Sequence, residues 1–397
     1  MKMNTRKKLT VAGAIAIVIG LIMVVSASQL GATTITLPDP QTNAVLYGDA
    51  YSYSLPILAY FYDQQNGGGV GPGNPFYVPS SPGQISDDIV VATGSSGGPV
   101  NTNFAGMNNA YPTPSGTGGL PYFSTGQTAL HPTAGTGLLL NNTTTWNSNI
   151  GALETFLGAG ASPVFFFNNN QTNSGDAIDQ QLAIWGQAIL VSSTGAATPV
   201  YFTFANNLPP NNVGISGTDF PVFYPDPGGI VSGPDKDPTL YNGNVAPDST
   251  YPLTAPVSNP AFPYDFVLSG GQNCLDAAGN LVSCSSPAAV TVINHNLGAN
   301  QAAYALTVPE LNTFLASWTS ASPYDVLELD IRMGCNPNIP GVVCPQGWEL
   351  NNGYEQIFMG KGYVVGPPVP EPCSFLLLSA GLLGIGFFRK TIMKKNI

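Results

Sequence analysis

Charge is what this chain has least of. Only 8% of its 397 residues are Asp, Glu, Lys or Arg, against roughly 25% in ordinary globular domains. Lys2, Arg6, Lys7 and Lys8 open the chain, and Arg389, Lys390, Lys394 and Lys395 close it. Between residues 29 and 368, only Lys236, Arg332 and Lys361 stand against all but one of the 22 acidic residues. Such a surface repels phosphate backbones, which excludes nucleic acid as a partner. Histidine is scarce too, with only His131 and His295. No HExxH or comparable pattern surrounds them, so the common zinc-hydrolase motifs are excluded. Both are expected to be solvated or hydrogen-bonded surface residues, and nothing in the sequence asks for a cofactor. Repeating βαβ patterns and internal repeats are also missing, which argues against an α/β fold.

Turn residues and apolar residues are plentiful instead. The chain has 46 Gly and 36 Pro, yet 43% of it is apolar and 10% aromatic. That is too apolar for a disordered polar tract and suits many short strands joined by Gly/Pro turns. Strand patterns fall at 45–55, 89–93, 162–168, 180–193, 199–206, 264–270 and 289–294. The cleanest is VLELDIRM (326–333), with Leu327, Leu329, Ile331 and Met333 on one face and Glu328, Asp330 and Arg332 on the other. Strict alternation predicts a sheet with one wet face and antiparallel pairing. Short helices are expected at 148–157 and from Pro309 through Trp318. The predicted fold is all-β, an antiparallel β-sandwich or jelly-roll-like ectodomain with short helical insertions. Residues 64–88 and 94–128, within a loop-rich stretch 64–128, resist strand assignment. So do residues 205–262. They are expected as loops over the sheet or as a second, looser lobe.

The two ends carry addresses. A basic start, an apolar run from Leu9 to Val25, and Val25-Ser26-Ala27 form a signal peptide over 1–27, cleaved after Ala27, for the Sec export machinery. An uncleaved anchor helix competes with that reading, but small and polar residues follow the run at once. The ectodomain then spans 28–365 and a tail 366–397. In the tail, Val369-Pro370-Glu371-Pro372-Cys373 precedes an apolar segment 374–388 and then Arg389, Lys390, Lys394 and Lys395. About 15 residues of helix reach ~22 Å, short of a hydrocarbon core of about 30 Å. Snorkelling by Arg389 and Lys390 closes the gap, and the basic cluster stays cytoplasmic. A C-terminal transmembrane helix is therefore expected.

This order of Pro-Glu-Pro, short apolar span and basic end resembles the PEP-CTERM sorting signal. The resemblance covers about residues 369–395. It implies processing by an exosortase, a membrane-embedded cysteine transpeptidase of Gram-negative, exopolysaccharide-making bacteria. The route would be an inner-membrane intermediate, then the cell surface or extracellular matrix. Cys373 stands where that family usually has Ser, Ala or Thr.

In an exported chain, Cys274 with Cys284 and Cys335 with Cys344 read as two loop-closing disulfides, the first around a hairpin at Ala278-Gly279-Asn280. A four-cysteine metal site is the rival, but zinc favours closer spacings.

Candidate chemistry is thin. GSSGGP (94–99) resembles the nucleophile segment of chymotrypsin-like proteases, but no His precedes Ser96, and no helix pattern follows it for an α/β-hydrolase elbow. Asp226, Asp235 and Asp237 form a weak Ca²⁺ candidate loop without the EF-hand pattern. Glu328/Asp330 and Glu349/Glu355 are possible glycosidase acid pairs, the first reading as the outer face of a strand. Trp146, Trp185, Trp318 and Trp348 are possible sugar platforms, with Trp185 expected in the core. The expectation is a non-enzymatic surface or biofilm-matrix protein. The alternatives are a carbohydrate-binding module for exopolysaccharide and, behind it, a secreted hydrolase.

Overall fold

The structure of the protein is a computed structural model. It describes residues 31–364 apart from 95–101, 115–120, 127–130, 171–181, 205–266, 283–285, 335–349 and a few isolated positions. In chain order the strands are β1 Thr34–Leu37, β2 Val45–Tyr47, β3 Ala50–Ser54, β4 Ile89–Thr93, β5 Tyr111–Pro112 and β6 Tyr122–Ser124. Next come β7 Trp146–Asn149, β8 Ser162–Asn168, β9 Leu182–Val191, β10 Val200–Thr203, β11 Val267–Ser269 and β12 Gln272–Leu275. The last are β13 Leu281–Val282, β14 Thr291–Asn294, β15 Ala302–Thr307, β16 Val326–Gly334 and β17 Ile357–Val364. Among the described residues four α-helices join them, α1 Pro40–Asn43, α2 Leu55–Asn66, α3 Ile150–Leu157 and α4 Pro309–Ser317, with a 3-10 turn at Gly298–Asn300. The described residues are thus mostly strands with few helices, as an all-β chain requires.

The largest sheet runs β2-β3-β15-β8-β17-β4-β5, with β1 against the far half of β17. The second runs β10-β9-β16-β6, with β11 also on β9 and β7 also on β16. A small third sheet is β13-β12-β14. Pairing is antiparallel except for β1 with β17 and β4 with β5.

Burial explains the pairing. Phe165 and Phe167 of β8, Leu306 of β15 and Ile357 and Met359 of β17 share one core cluster with second-sheet residues. These are Ile184 and Leu190 of β9 and Leu327, Leu329, Ile331 and Met333 of β16. The inward faces of the two sheets therefore bury each other. On the opposite face of the first sheet, Val164, Phe166 and Phe358 pack with Leu55 and Leu58 of α2 and with Val78 and Ile85. The run SPVFFFN is thus apolar at successive positions because β8 is covered on both sides. Each fully buried Phe contributes about 2–3 kcal/mol of apolar transfer energy. Gly186 of β9 makes room for its own cross-strand neighbours: a Cβ there would lie 2.5 Å from the ring of Phe204, whose N donates to Gly186 O, and 3.0 Å from Ile331, opposite it on β16.

Two expectations are corrected. The segment 45–55 is not one strand. It is the hairpin β2–β3, with Tyr47 opposite Ala50, and the chain turns into α2 at Leu55. The Ser54 side chain accepts from Ile57 N at 3.3 Å, and a proline sits in the first turn, as helix starts favour. The stretch 94–128 is not free of strands either: it contains β5 and β6, while 64–88 finishes α2 and lays 76–85 over the first sheet, with Ser80 N donating to Asn300 O at 3.0 Å.

β17, the last strand before the tail, fills the centre of the first sheet between β8 and β4. β1, the first strand among the described residues, lies parallel beside it, Thr34 opposite Lys361 and Leu37 opposite Val364. Both ends of the ectodomain thus close on one another.

Candidate functional site

The alternation of β16 is real, but its polar face is not wet. Glu328, Asp330 and Arg332 are all buried, which overturns the expected outer face. The cover comes from far away in sequence. Asn142 Nδ2 donates to Glu328 Oε2 at 3.2 Å, and Thr125 Oγ1 to Asp330 Oδ1 at 3.4 Å. Arg332 grips Asp330 with two bonds, Nε to Oδ1 at 3.0 Å and Nη2 to Oδ2 at 2.7 Å. Tyr111 closes the row, its hydroxyl donating to the carbonyls of Thr125 (2.9 Å) and Thr145 (3.2 Å). The His131 ring meets Tyr111 edge-on at 5.5 Å. Burial holds the Glu328 carboxyl above its usual range, and the nearby Asp330 charge adds to that. Burial likewise raises the Tyr111 phenol. A pair of enclosed carboxylates, one locked to arginine and one to an amide, is a structural network rather than an acid–base pair facing substrate.

A second acid has the opposite surroundings. Glu355, just before β17, is fully buried, and among the described residues neither carboxyl oxygen has a hydrogen-bond partner beyond its own residue's backbone. Burial pushes its carboxyl up to about 8, so it is a neutral acid at neutral pH. Its backbone is well held: Thr113 Oγ1 donates to Glu355 O at 3.1 Å, and Gln356 N to Asn168 Oδ1 at 2.6 Å. Asn170 Nδ2 reaches Gly353 O at 2.6 Å. Thr93 Oγ1, Asn168 Nδ2 and Gln356 Oε1 are also buried without partners among the described residues. Tyr354 has φ 68°, the one left-handed non-glycine among the described residues, a conformation costing roughly 1–3 kcal/mol. Gly94 accommodates it, since a Cβ there would sit 2.5 Å from Tyr354 Cα. Glu349, its expected partner acid, lies outside the described residues, as does Ser96.

His295 is not on the surface. It is 1% exposed, stacks on Tyr304 at 5.2 Å, and its Nε2 lies 2.6 Å from Ser54 Oγ. A serine beside an imidazole invites a nucleophile reading. Among the described residues Nδ1 has no partner, so none of them orients the ring as a third group, and Ser54 Oγ also caps α2. Burial lowers the imidazole to about 3, which keeps it neutral.

Asp88 gave no signal in the sequence beyond standing before β4. It accepts from Thr33 N at 2.6 Å and from Thr33 Oγ1 at 2.7 Å, and Lys361 N donates to Thr33 O at 2.8 Å. It fastens the entry of β1 to β17. Burial pushes it up to about 6 against the opposing Thr33 bonds.

Other expected residues divide. Trp146 is fully buried and packs in the shared core, which removes it as a sugar platform. Trp318 is half-buried, its Nε1 donating to Tyr324 O at 2.7 Å. Cys274 is buried and disulfide-bonded, on β12 of the expected hairpin, whose register pairs Cys274 with Val282. Cys284, Cys335, Cys344 and Cys373 lie outside the described residues. So do Trp348, the side chain of Trp185, Ala27, the stretch 205–262 with Asp226, Asp235 and Asp237, and the whole tail. Among the described residues no group of acids, His and Cys forms a metal cluster, and no helix is long and apolar enough to cross a membrane.

Comparison with known families separates ectodomain from tail. A family model described as a domain of unknown function, DUF8239, matches residues 35–332. The chain belongs to the DUF8239 family. That match runs from β1 to Arg332 and holds the polar row of β16, but stops before Glu355 and β17. The PEP-CTERM protein-sorting motif matches residues 368–390, beginning four residues after β17 ends. No curated protein and no solved structure matches the chain. The sorting motif marks the chain as an exosortase substrate, exported toward the bacterial cell envelope or surface.

Proposed function

We propose that the protein is a non-enzymatic component of the surface or extracellular matrix of a Gram-negative bacterium. It passes through an inner-membrane intermediate held by its tail and is then processed by an exosortase. The observation that carries this reading is the sorting motif placed directly behind the strand that completes the ectodomain. A structural role is supported by the acids themselves. Asp330 is tied to Arg332, Glu328 to Asn142, and Glu355 is enclosed, so none presents a carboxylate to a substrate.

The test replaces Pro370, Glu371 and Pro372 with alanine in the full chain. The precursor should then accumulate in the inner membrane and disappear from the surface fraction. Undiminished surface delivery would refute the assignment.

A further inference from the structure

An exposed apolar strip follows α3 to the point where the chain leaves the fold. Leu139 and Phe104 are 56% and 46% exposed. Leu139 N donates to Asn149 Oδ1 at 2.9 Å, and Asn149 N to Gly106 O at 2.7 Å, which sets this segment beside the start of α3. Further along, the Phe104 ring lies 5.5 Å from Phe156, near the end of that helix. Lys361 Nζ stands 5.1 Å from the centre of the Phe156 ring. Two residues on, Tyr363 shares the face of Lys361 and is 44% exposed. Leu139, Phe104 and Tyr363 are among the large apolar side chains that the described residues leave exposed.

Charge marks the same place. Lys361 is the one lysine among the described residues, and their one arginine, Arg332, is buried against Asp330. In a chain this acidic, the described surface therefore carries its cation in the middle of the apolar strip. The nearest acid on α3, Glu154, is held above its usual range by burial.

The continuation of the chain supplies the occupant. β17 ends at Val364, and the apolar segment of the tail begins at residue 374. The roughly nine residues between them reach ~30 Å when fully extended. With that segment in a bilayer, the strip lies within reach of the headgroups.

We propose that, before the tail is removed, this strip docks on the outer leaflet of the inner membrane. Phe104, Leu139 and Tyr363 enter the headgroup region, and Lys361 turns to anionic headgroups. Aromatic rings and a long cationic side chain are the residues that this boundary favours. Apolar burial and attraction to anionic lipid both contribute to such surface binding. Docking fixes the orientation of the ectodomain and holds the sorting motif at the depth where a membrane-embedded exosortase works. The inference rests on membrane insertion of the tail, proposed above.

The test uses the full chain reconstituted in vesicles of phosphatidylethanolamine with a minority of phosphatidylglycerol. Benzophenone-bearing phenylalanine replaces Phe104, Tyr363 or, as a control on the small third sheet, the exposed Val292. Retention on the vesicles through an alkaline wash reports tail insertion independently. Lipid adducts at positions 104 and 363 but not at 292, lost when Lys361→Glu is added, are expected. A retained chain that gives no adducts, adducts at all three positions alike, or crosslinks to a second protein copy overturns the docking surface and leaves the tail reading standing. A chain washed off the vesicles overturns both. Unaltered thermal unfolding of each variant keeps the readout separate from misfolding.

Discussion

The polar row of β16 and the turn before β17 bury the same kind of side chain on opposite terms. Asp330 meets a two-pronged guanidinium, and Glu328 meets an amide. Glu355 meets no donor from another residue among those described. Asp88 is intermediate, with two bonds from Thr33 but no guanidinium. A buried charge persists where partners replace water, and a buried acid without them keeps its proton. The row lies within the family match, and the acid without an outside donor lies beyond it.

The largest expected effect is at Glu355. Its carboxyl titrates near 8 in the folded chain and near 4.5 when unfolded. Between those values the folded state holds more protons, so stability falls as pH rises, by about 5 kcal/mol across the window. Glu355→Gln should erase that decline, seen as urea midpoints at pH ~5 and ~9 drawing together. An unchanged slope would mean that Glu355 is not an isolated acid.

Arg332→Leu comes next. It strands Asp330 in the interior and should cost about 3–5 kcal/mol in urea unfolding, with Asp330→Leu added to it recovering much of the loss. A cost below about 1 kcal/mol would break the contrast, because the row would then be solvated.

Asp88→Asn should remove a smaller dependence. The raised carboxyl lowers stability as pH climbs from 3.8 to 6, by about 3 kcal/mol at most. The variant should flatten that slope and speed amide exchange in β1, since asparagine offers Thr33 one acceptor oxygen. The smallest effect is at Tyr111→Phe, which deletes two buried bonds to carbonyls and should cost about 1–2 kcal/mol.

Several elements were legible before any coordinates. SPVFFFN is unbroken apolar sequence because both faces of β8 are covered, and β16 was recognisable from its period of two. Alternation, however, separates two faces without saying what lies over either. The cover of the polar face arrives from Thr125 and Asn142, about two hundred residues earlier in the chain. The helix α2 was obscured by its own composition, since Tyr, Phe and Ile are strand formers and its helical start depends on the Ser54 cap. His295 looked like a surface residue because nothing local announces burial. Its partners, Ser54 and Tyr304, come from β3 and β15.

By itself the sequence determined the sorting address at its C-terminal end, the shortage of cations and the strand-rich class. All three depend on composition and on order along the chain, which act without folding. The tertiary structure alone decided which acids are paired, which one keeps its proton, and that the final strand sits at the centre of the largest sheet. Those outcomes depend on groups brought together across long stretches of chain, where burial changes the cost of every charge.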